Sequence, residues 1–126
     1  MTKPRRLPPA VVSAIRDGKI LAIRAGTEHR FIGIWAVVVA GRVFVRSWSL
    51  KPRSWYRTFL DDPAGAIQIG TKTIPIRAVH TRSESLKDRI SDAYLSKYHT
   101  PGSLKYARDL GRKRSRDATV ELTPVR

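Results

Sequence analysis

Phe31-Ile32-Gly33-Ile34-Trp35-Ala36-Val37-Val38-Val39-Ala40-Gly41-Arg42-Val43-Phe44-Val45-Arg46-Ser47-Trp48-Ser49 is the stretch that decides the architecture. Phe31 to Ala40 is rich in β-branched and aromatic residues, which favour the pleated, packed surface of a strand. Ala40-Gly41 then separates it from a second extended run, Arg42 to Ser49, so the two read as a hairpin. In the second arm side chains alternate between faces. Phe44, Arg46 and Trp48 share one face, and Val43, Val45, Ser47 and Ser49 the other. An arginine beside a tryptophan on one sheet face is unusual for plain core.

Outward from this hairpin the chain supplies four more candidate strands. Lys19 to Ala25 reads as a buried strand through Ile20, Leu21, Ala22 and Ile23. Ala66 to Gly70 and Thr73 to Arg82 form a second hairpin, in which Pro75 marks an edge or a bulge because it lacks an N–H for the ladder. Ala118, Val120 and Leu122 alternate as a last strand. Short helices intervene. Pro8-Pro9 opens one that ends at Asp17-Gly18, and Trp55 to Leu60 places Trp55, Phe59 and Leu60 on one helical face. Ser85-Leu86-Lys87-Asp88 resembles a capping box before Leu86, Ile90, Ala93, Tyr94 and Tyr98, and Ser103 to Leu110 fits a further helix. The sum is an α+β chain of six antiparallel strands, which hide their edges best as a small closed or partly closed barrel. Residues 1–18 read as an N-terminal helix and basic arm, and 19–126 as the barrel, within one domain.

Composition narrows the function classes. There are 25 Lys and Arg against 10 Asp and Glu, a formal charge of +15, which favours encounter with polyanions or a phosphorylated ligand. The dense run Arg112-Lys113-Arg114-Ser115-Arg116 reads as a flexible charged loop. With no cysteine, disulfides and thiolate metal sites are excluded, and His29, His80 and His99 lack metal-ligand spacing. The longest apolar stretch, Ile34 to Ala40, is 7 residues, far below a membrane span. No apolar segment follows the basic start, so the chain reads as cytoplasmic. Glycine-rich dinucleotide and phosphate loops and nucleophile elbows are absent, so no side chain is named as catalytic. Nucleic-acid binding ranks last, because the aromatic residues do not interleave with the basic ones as a stacking platform requires.

The segment Val43 to Trp48, then Trp55-Tyr56-Arg57-Thr58-Phe59-Leu60-Asp61-Asp62-Pro63, then Ala66-Ile67-Gln68-Ile69-Gly70 and Ile74-Pro75-Ile76-Arg77-Ala78, resembles the central region of deazaflavin-dependent nitroreductases. Those proteins belong to the pyridoxamine-phosphate-oxidase-like flavin-binding split barrels. The chain as a whole is similar to the bacterial domain-of-unknown-function family 2255, through Ile23-Arg24-Ala25-Gly26, His29 to Trp35, Tyr98-His99-Thr100 and Ser103-Leu104-Lys105-Tyr106. The resemblance implies a six-stranded split barrel of the flavin mononucleotide (FMN)-binding type, paired as a homodimer with its cofactor between subunits. It implies FMN or a deazaflavin as cofactor, and an FMN- or deazaflavin-dependent reductase as the activity. By position it implies cofactor contacts from His29, Arg30, Arg46, Ser47, Trp48, Lys51, Trp55 and Tyr56. Two departures stand out: Ala25 to Arg30 replaces a Gly-Arg-Lys-Ser-Gly loop, and Trp48-Ser49-Leu50-Lys51 replaces a Gly-Gly pair. They support an alternative, a binding module that has lost the cofactor and holds a small anionic ligand or a protein partner.

Overall fold

The computed structural model describes residues 6–26, 30–47 and 55–125. The strands are β1 (Leu21–Ala25), β2 (Ile32–Ile34), β3 (Ala36–Val39), β4 (Arg42–Arg46), β5 (Ala64–Ile69), β6 (Lys72–His80) and β7 (Thr119–Pro124). The helices are α1 (Pro9–Asp17), α2 (Trp55–Asp61), α3 (Glu84–Lys97), α4 (Pro101–Asp109) and α5 (Lys113–Asp117). The strands form one antiparallel sheet of order β2-β1-β5-β6-β7-β4-β3, rolled into a nearly closed barrel.

The count is seven where six were expected, and Trp35 explains the difference. The anticipated strand from Phe31 to Ala40 is one run of chain that pairs with β1 through β2 and with β4 through β3. It therefore supplies both ends of the sheet, and Trp35 is the hinge between them. The rung that would join Trp35 to Arg46 is replaced by a side chain. The Tyr94 hydroxyl donates to the Trp35 carbonyl at 2.9 Å and accepts from the Arg46 backbone N–H at 3.1 Å. Trp35 itself stacks on Tyr98, with centroids 4.0 Å apart and planes 2° from parallel.

Two cores result. The barrel interior holds Leu21, Ile23, Val43, Val45, Ile67, Ile76, Val120 and Leu122, and it also receives Leu7, Ile15 of α1, and Tyr56 and Phe59 of α2. The second core lies on the outer side of β3 and β4, where Val37, Val39 and Phe44 meet Ile90, Tyr94, Tyr98, Ala107 and Leu110. β4 is thus buried on both faces, while the outer side of β5 and β6 presents Ala64, Gln68, Thr73, Pro75, Arg77 and Val79 to solvent. Pro75 sits just beyond the last β6–β7 rung, Ile76 with Pro124, so its missing N–H breaks no ladder there.

The caps and the basic run differ from the sequence reading. α3 starts earlier, with Ser83 as N-cap accepting from the Leu86 N–H at 3.2 Å. The run from Arg112 to Arg116 is no loose loop: Lys113 to Asp117 is a helical turn held by counter-ions. Arg116 meets Glu84 at 2.7 Å and Asp88 at 2.8 Å, and Lys113 meets Asp117 at 2.7 Å.

Candidate functional site

Arg46 shows how a correct face assignment leads to a different role. It does share a face with Phe44, but that face is the one α3 covers. The residue is 3% exposed. Its Nε donates to Thr119 Oγ1 at 2.8 Å, one terminal nitrogen donates to Ser91 Oγ at 2.8 Å and to the Leu110 carbonyl at 2.9 Å, and the other donates to the Lys87 carbonyl at 2.7 Å. An arginine has five N–H donors, and four are committed within the chain. Burial pushes its pKa down to about 10, partly offset by Tyr94, whose ring centroid lies 5.8 Å away. The expectation of a phosphate-binding Arg46 is therefore corrected: this guanidinium staples β4 to α3, the end of α4 and β7.

The remaining expected residues separate. Ser47 is buried directly after Arg46. Trp48, Lys51 and His29 lie outside the described residues. Trp55 and Tyr56 meet edge to face at 6.3 Å, and Trp55 meets Phe59 at 5.9 Å, so α2 uses its aromatic residues largely as core. Burial raises the Tyr56 phenol, with Arg57 opposing, Asp117 adding to the rise and Lys87 opposing. His80, whose ring is 6.4 Å from Tyr56, contacts the Asp117 carbonyl through Nε2 at 2.8 Å. Buried Lys87 is neutralised by Glu84 at 3.2 Å and Asp117 at 3.5 Å. Arg46, Ser47 and Tyr56 thus share one end of the barrel, but an ion-pair network fills the space beside them. Arg30 is exposed and lies next to the Arg24–Phe31 contact.

The opposite flank of the barrel holds an open cleft of about 370 Å³ that the sequence reading did not single out. Arg24, Gly26, Asp62, Ala66, Thr73 and Pro75 are among its walls. Residues directly opposite in antiparallel strands share a face, and Arg24 pairs with Ala66, which pairs with Pro75. All three therefore stand on the outer face of β1, β5 and β6. The Arg24 guanidinium lies over the Phe31 ring at 4.7 Å, and among the described residues its buried Nε has no hydrogen-bond partner. A buried donor without an acceptor is costly, about 1–3 kcal/mol, and an oxyanion in the cleft is the natural acceptor. Gly65, which pairs with Ala25 and Ile76, faces the barrel interior behind the cleft, where a Cβ would lie 2.4 Å from the Arg24 carbonyl and 2.7 Å from the Phe59 ring. Asp62 is partly occupied by its own turn, accepting from the Ala64 N–H at 3.1 Å. Among the described residues no His, Cys, Asp and Glu cluster suited to a metal ion is present, and no helix is long and apolar enough to cross a membrane.

A family model described as "Uncharacterized protein conserved in bacteria (DUF2255)" matches residues 10–122. The chain belongs to this family. No curated protein matches it by sequence. Solved structures share the fold of this DUF2255 protein at low identity. A conserved hypothetical protein, Rv2991 from Mycobacterium tuberculosis, aligns over 99% of the chain and 84% of its own length, with 12% identity and a TM-score of 0.62. An F420-H2 dependent reductase, FDR-A, aligns over 83% of the chain and 93% of its own length, with 18% identity and a TM-score of 0.58. A putative pyridoxamine 5'-phosphate oxidase from Listeria innocua aligns over 92% and 90%, with 12% identity and a TM-score of 0.57. The DUF2255 chain shares the split-barrel fold of these structures.

Proposed function

We propose that this DUF2255 protein is an oxidoreductase-like protein that binds a flavin- or deazaflavin-type cofactor, with the cofactor's anionic group at Arg24. The observation that carries the reading is the buried Arg24 Nε, without a hydrogen-bond partner among the described residues, in a cleft on the outer face of a split barrel. The residues there fit a phosphate-bearing group: a guanidinium binds phosphate bidentately, and Gly26 and Ala66 let a ligand approach the backbone. Arg30 is exposed shortly after β1 in the chain and adds positive charge in this reading. The cofactor, when bound, supplies hydride transfer, and the chain's own residues bind and orient it. The cleft is near the small end of ligand pockets, which run from about 300 to 1,000 Å³, so one chain encloses only part of a flavin-sized molecule. A second copy laid against β5 and β6 completes the pocket and covers Val79 and Val125, which are 44% and 48% exposed.

A second reading, an anion-binding module without a redox cofactor, is favoured by the commitment of Arg46 to internal hydrogen bonds. One experiment separates the two. The visible spectrum of the protein as isolated is recorded, followed by titration with FMN and with a deazaflavin, in the wild type and in Arg24→Ala. Ring-dependent binding that Arg24→Ala weakens supports the cofactor reading. A colourless protein that takes up neither ring system, yet binds inorganic phosphate through Arg24, moves the assignment to the anion module.

A further inference from the structure

A second cleft, of about 360 Å³, opens where the end of α1, the start of β1, the end of α3 and the start of α4 meet. Arg16, Asp17, Lys19, Lys97, Tyr98 and Ser103 are among its walls. Lys97 is the unusual member. Its ammonium donates to the Ile15 carbonyl at 2.9 Å and the Ala36 carbonyl at 2.7 Å, tying the last turn of α1 to the first residue of β3. An ammonium has three N–H donors, so the third is left to the cleft that Lys97 lines. Buried Lys87 has two carboxylates within reach, whereas both acceptors of the half-buried Lys97 among the described residues are neutral carbonyls. Burial pulls the Lys97 pKa down, against an attraction from Asp17 that only partly compensates. Asp17 is mostly in solvent and already meets the neighbouring Arg16 Nε at 3.2 Å.

The Lys97 nitrogen is held in place rather than swinging freely. Two carbonyls fix it, the stacked Trp35–Tyr98 pair backs it, and the Tyr98 hydroxyl donates to the Lys19 carbonyl at 2.6 Å, fixing the backbone from which Lys19 projects. A fixed cation loses little freedom when it meets an anion. We propose that this cleft is a binding site for a small oxyanion, a phosphate or carboxylate group, held by Lys97 with Lys19 and Arg16 at its rim. The site is separate from the Arg24 cleft and does not depend on a cofactor there.

The test is amide-resolved NMR of the full chain at constant ionic strength, titrated with inorganic phosphate in one arm and succinate in the other. The proposal expects a saturable response in at least one arm, concentrated on the amides of Gly18, Lys19, Tyr98 and Ser103; the responding arm identifies the anion class. Arg24→Ala leaves that response in place, which separates it from any binding at the other cleft. Lys19→Ala and Lys97→Met each weaken it about tenfold, the loss of one charge-assisted hydrogen bond. Arg77→Ala, on an exposed part of β6, leaves it unchanged. Because Lys97 also ties two elements together, the exposed Lys19 carries the variant test if Lys97→Met does not fold. Shifts spread over the whole basic surface and linear to the highest concentration overturn the proposal, as does a saturable response that Lys19→Ala leaves intact.

Discussion

Arg46 and Arg24 both point outward from the same barrel, and they meet opposite surroundings. On the flank of β3 and β4, α3 and α4 form a second layer, and Arg46 finds two carbonyls and two hydroxyls arranged around it. Among the described residues no helix covers the outer face of β1, β5 and β6, and Arg24 keeps a buried Nε without an acceptor beside an open cleft. One residue type therefore does two jobs. Where the fold supplies the acceptors, the guanidinium is a structural staple; where it does not, the role proposed for the guanidinium is to meet an external anion. This contrast predicts where a substitution costs stability and where it costs binding.

The largest effect is expected at Arg46. Arg46→Ala leaves the Lys87 and Leu110 carbonyls without this donor and opens a void between β4 and α3, an expected loss of about 3 kcal/mol. The check is a chemical denaturation curve, in which the midpoint falls sharply. If Arg46→Ala unfolds at the wild-type midpoint, the staple reading of the clad flank is wrong.

Next comes Gly65, beneath the bare flank. Its Cβ would meet the Arg24 carbonyl, which is backbone in a paired strand and cannot yield, as well as the Phe59 ring. Gly65→Ala is expected to cost about 1–3 kcal/mol through overpacking, and to lift α2 from β1. Thermal unfolding measures the loss. A neutral outcome means that α2 shifts freely against the barrel interior.

These two sites show what was legible in the sequence and what was not. Alternation along Arg42 to Ser49 correctly placed Phe44 and Arg46 together, because the period of a strand is fixed by backbone geometry. It did not tell which face a helix covers, because β4 is apolar on one face and half apolar on the other, and α3 comes about 40 residues later in the chain. The break at Trp35 was hidden for a related reason. Nothing between Phe31 and Ala40 interrupts the strand-forming pattern, and the hinge becomes visible only when Tyr94 replaces the missing rung. Arg24 read as the end of a buried strand, and Lys97 as one of many lysines. Both acquire meaning from partners distant in sequence. The family resemblance carried the fold through matched turns and aromatic residues, whereas the internal hydrogen bonds of Arg46 come from residues distant in sequence that the resemblance did not reach.

A smaller effect, and one with a pH signature, is expected at Tyr98. The phenol is pushed up from 10.0 to about 12 by burial, partly offset by its hydrogen bond to the Ala36 backbone. The unfolded chain loses this proton near 10 and the folded chain only near 12. Between those values the unfolded state binds fewer protons, so stability falls as pH rises, while below 10 the contribution is fully present. Tyr94, also raised by burial, acts in the same direction, and Arg46, lowered by burial, acts against both. Tyr98→Phe loses one hydrogen bond, about 1 kcal/mol at neutral pH, and flattens part of the alkaline decline. Unfolding midpoints taken from pH 8 to 11 check the sign, and a variant curve parallel to the wild type refutes it.

The smallest stability change is expected at Arg24, and its smallness is the point. Arg24→Ala removes a cation–π contact with Phe31, about 0.5–1 kcal/mol, and also removes a buried donor that had no acceptor, so the two contributions oppose each other. A midpoint close to the wild type is expected, next to a marked loss of phosphate affinity at the cleft. A large loss of stability with unchanged phosphate binding makes Arg24 a staple like Arg46, and the two flanks then differ only in which side of the barrel is clad. Measured side by side, the two arginines form a crossed design: one variant moves stability, the other moves binding, and each is the control for the other.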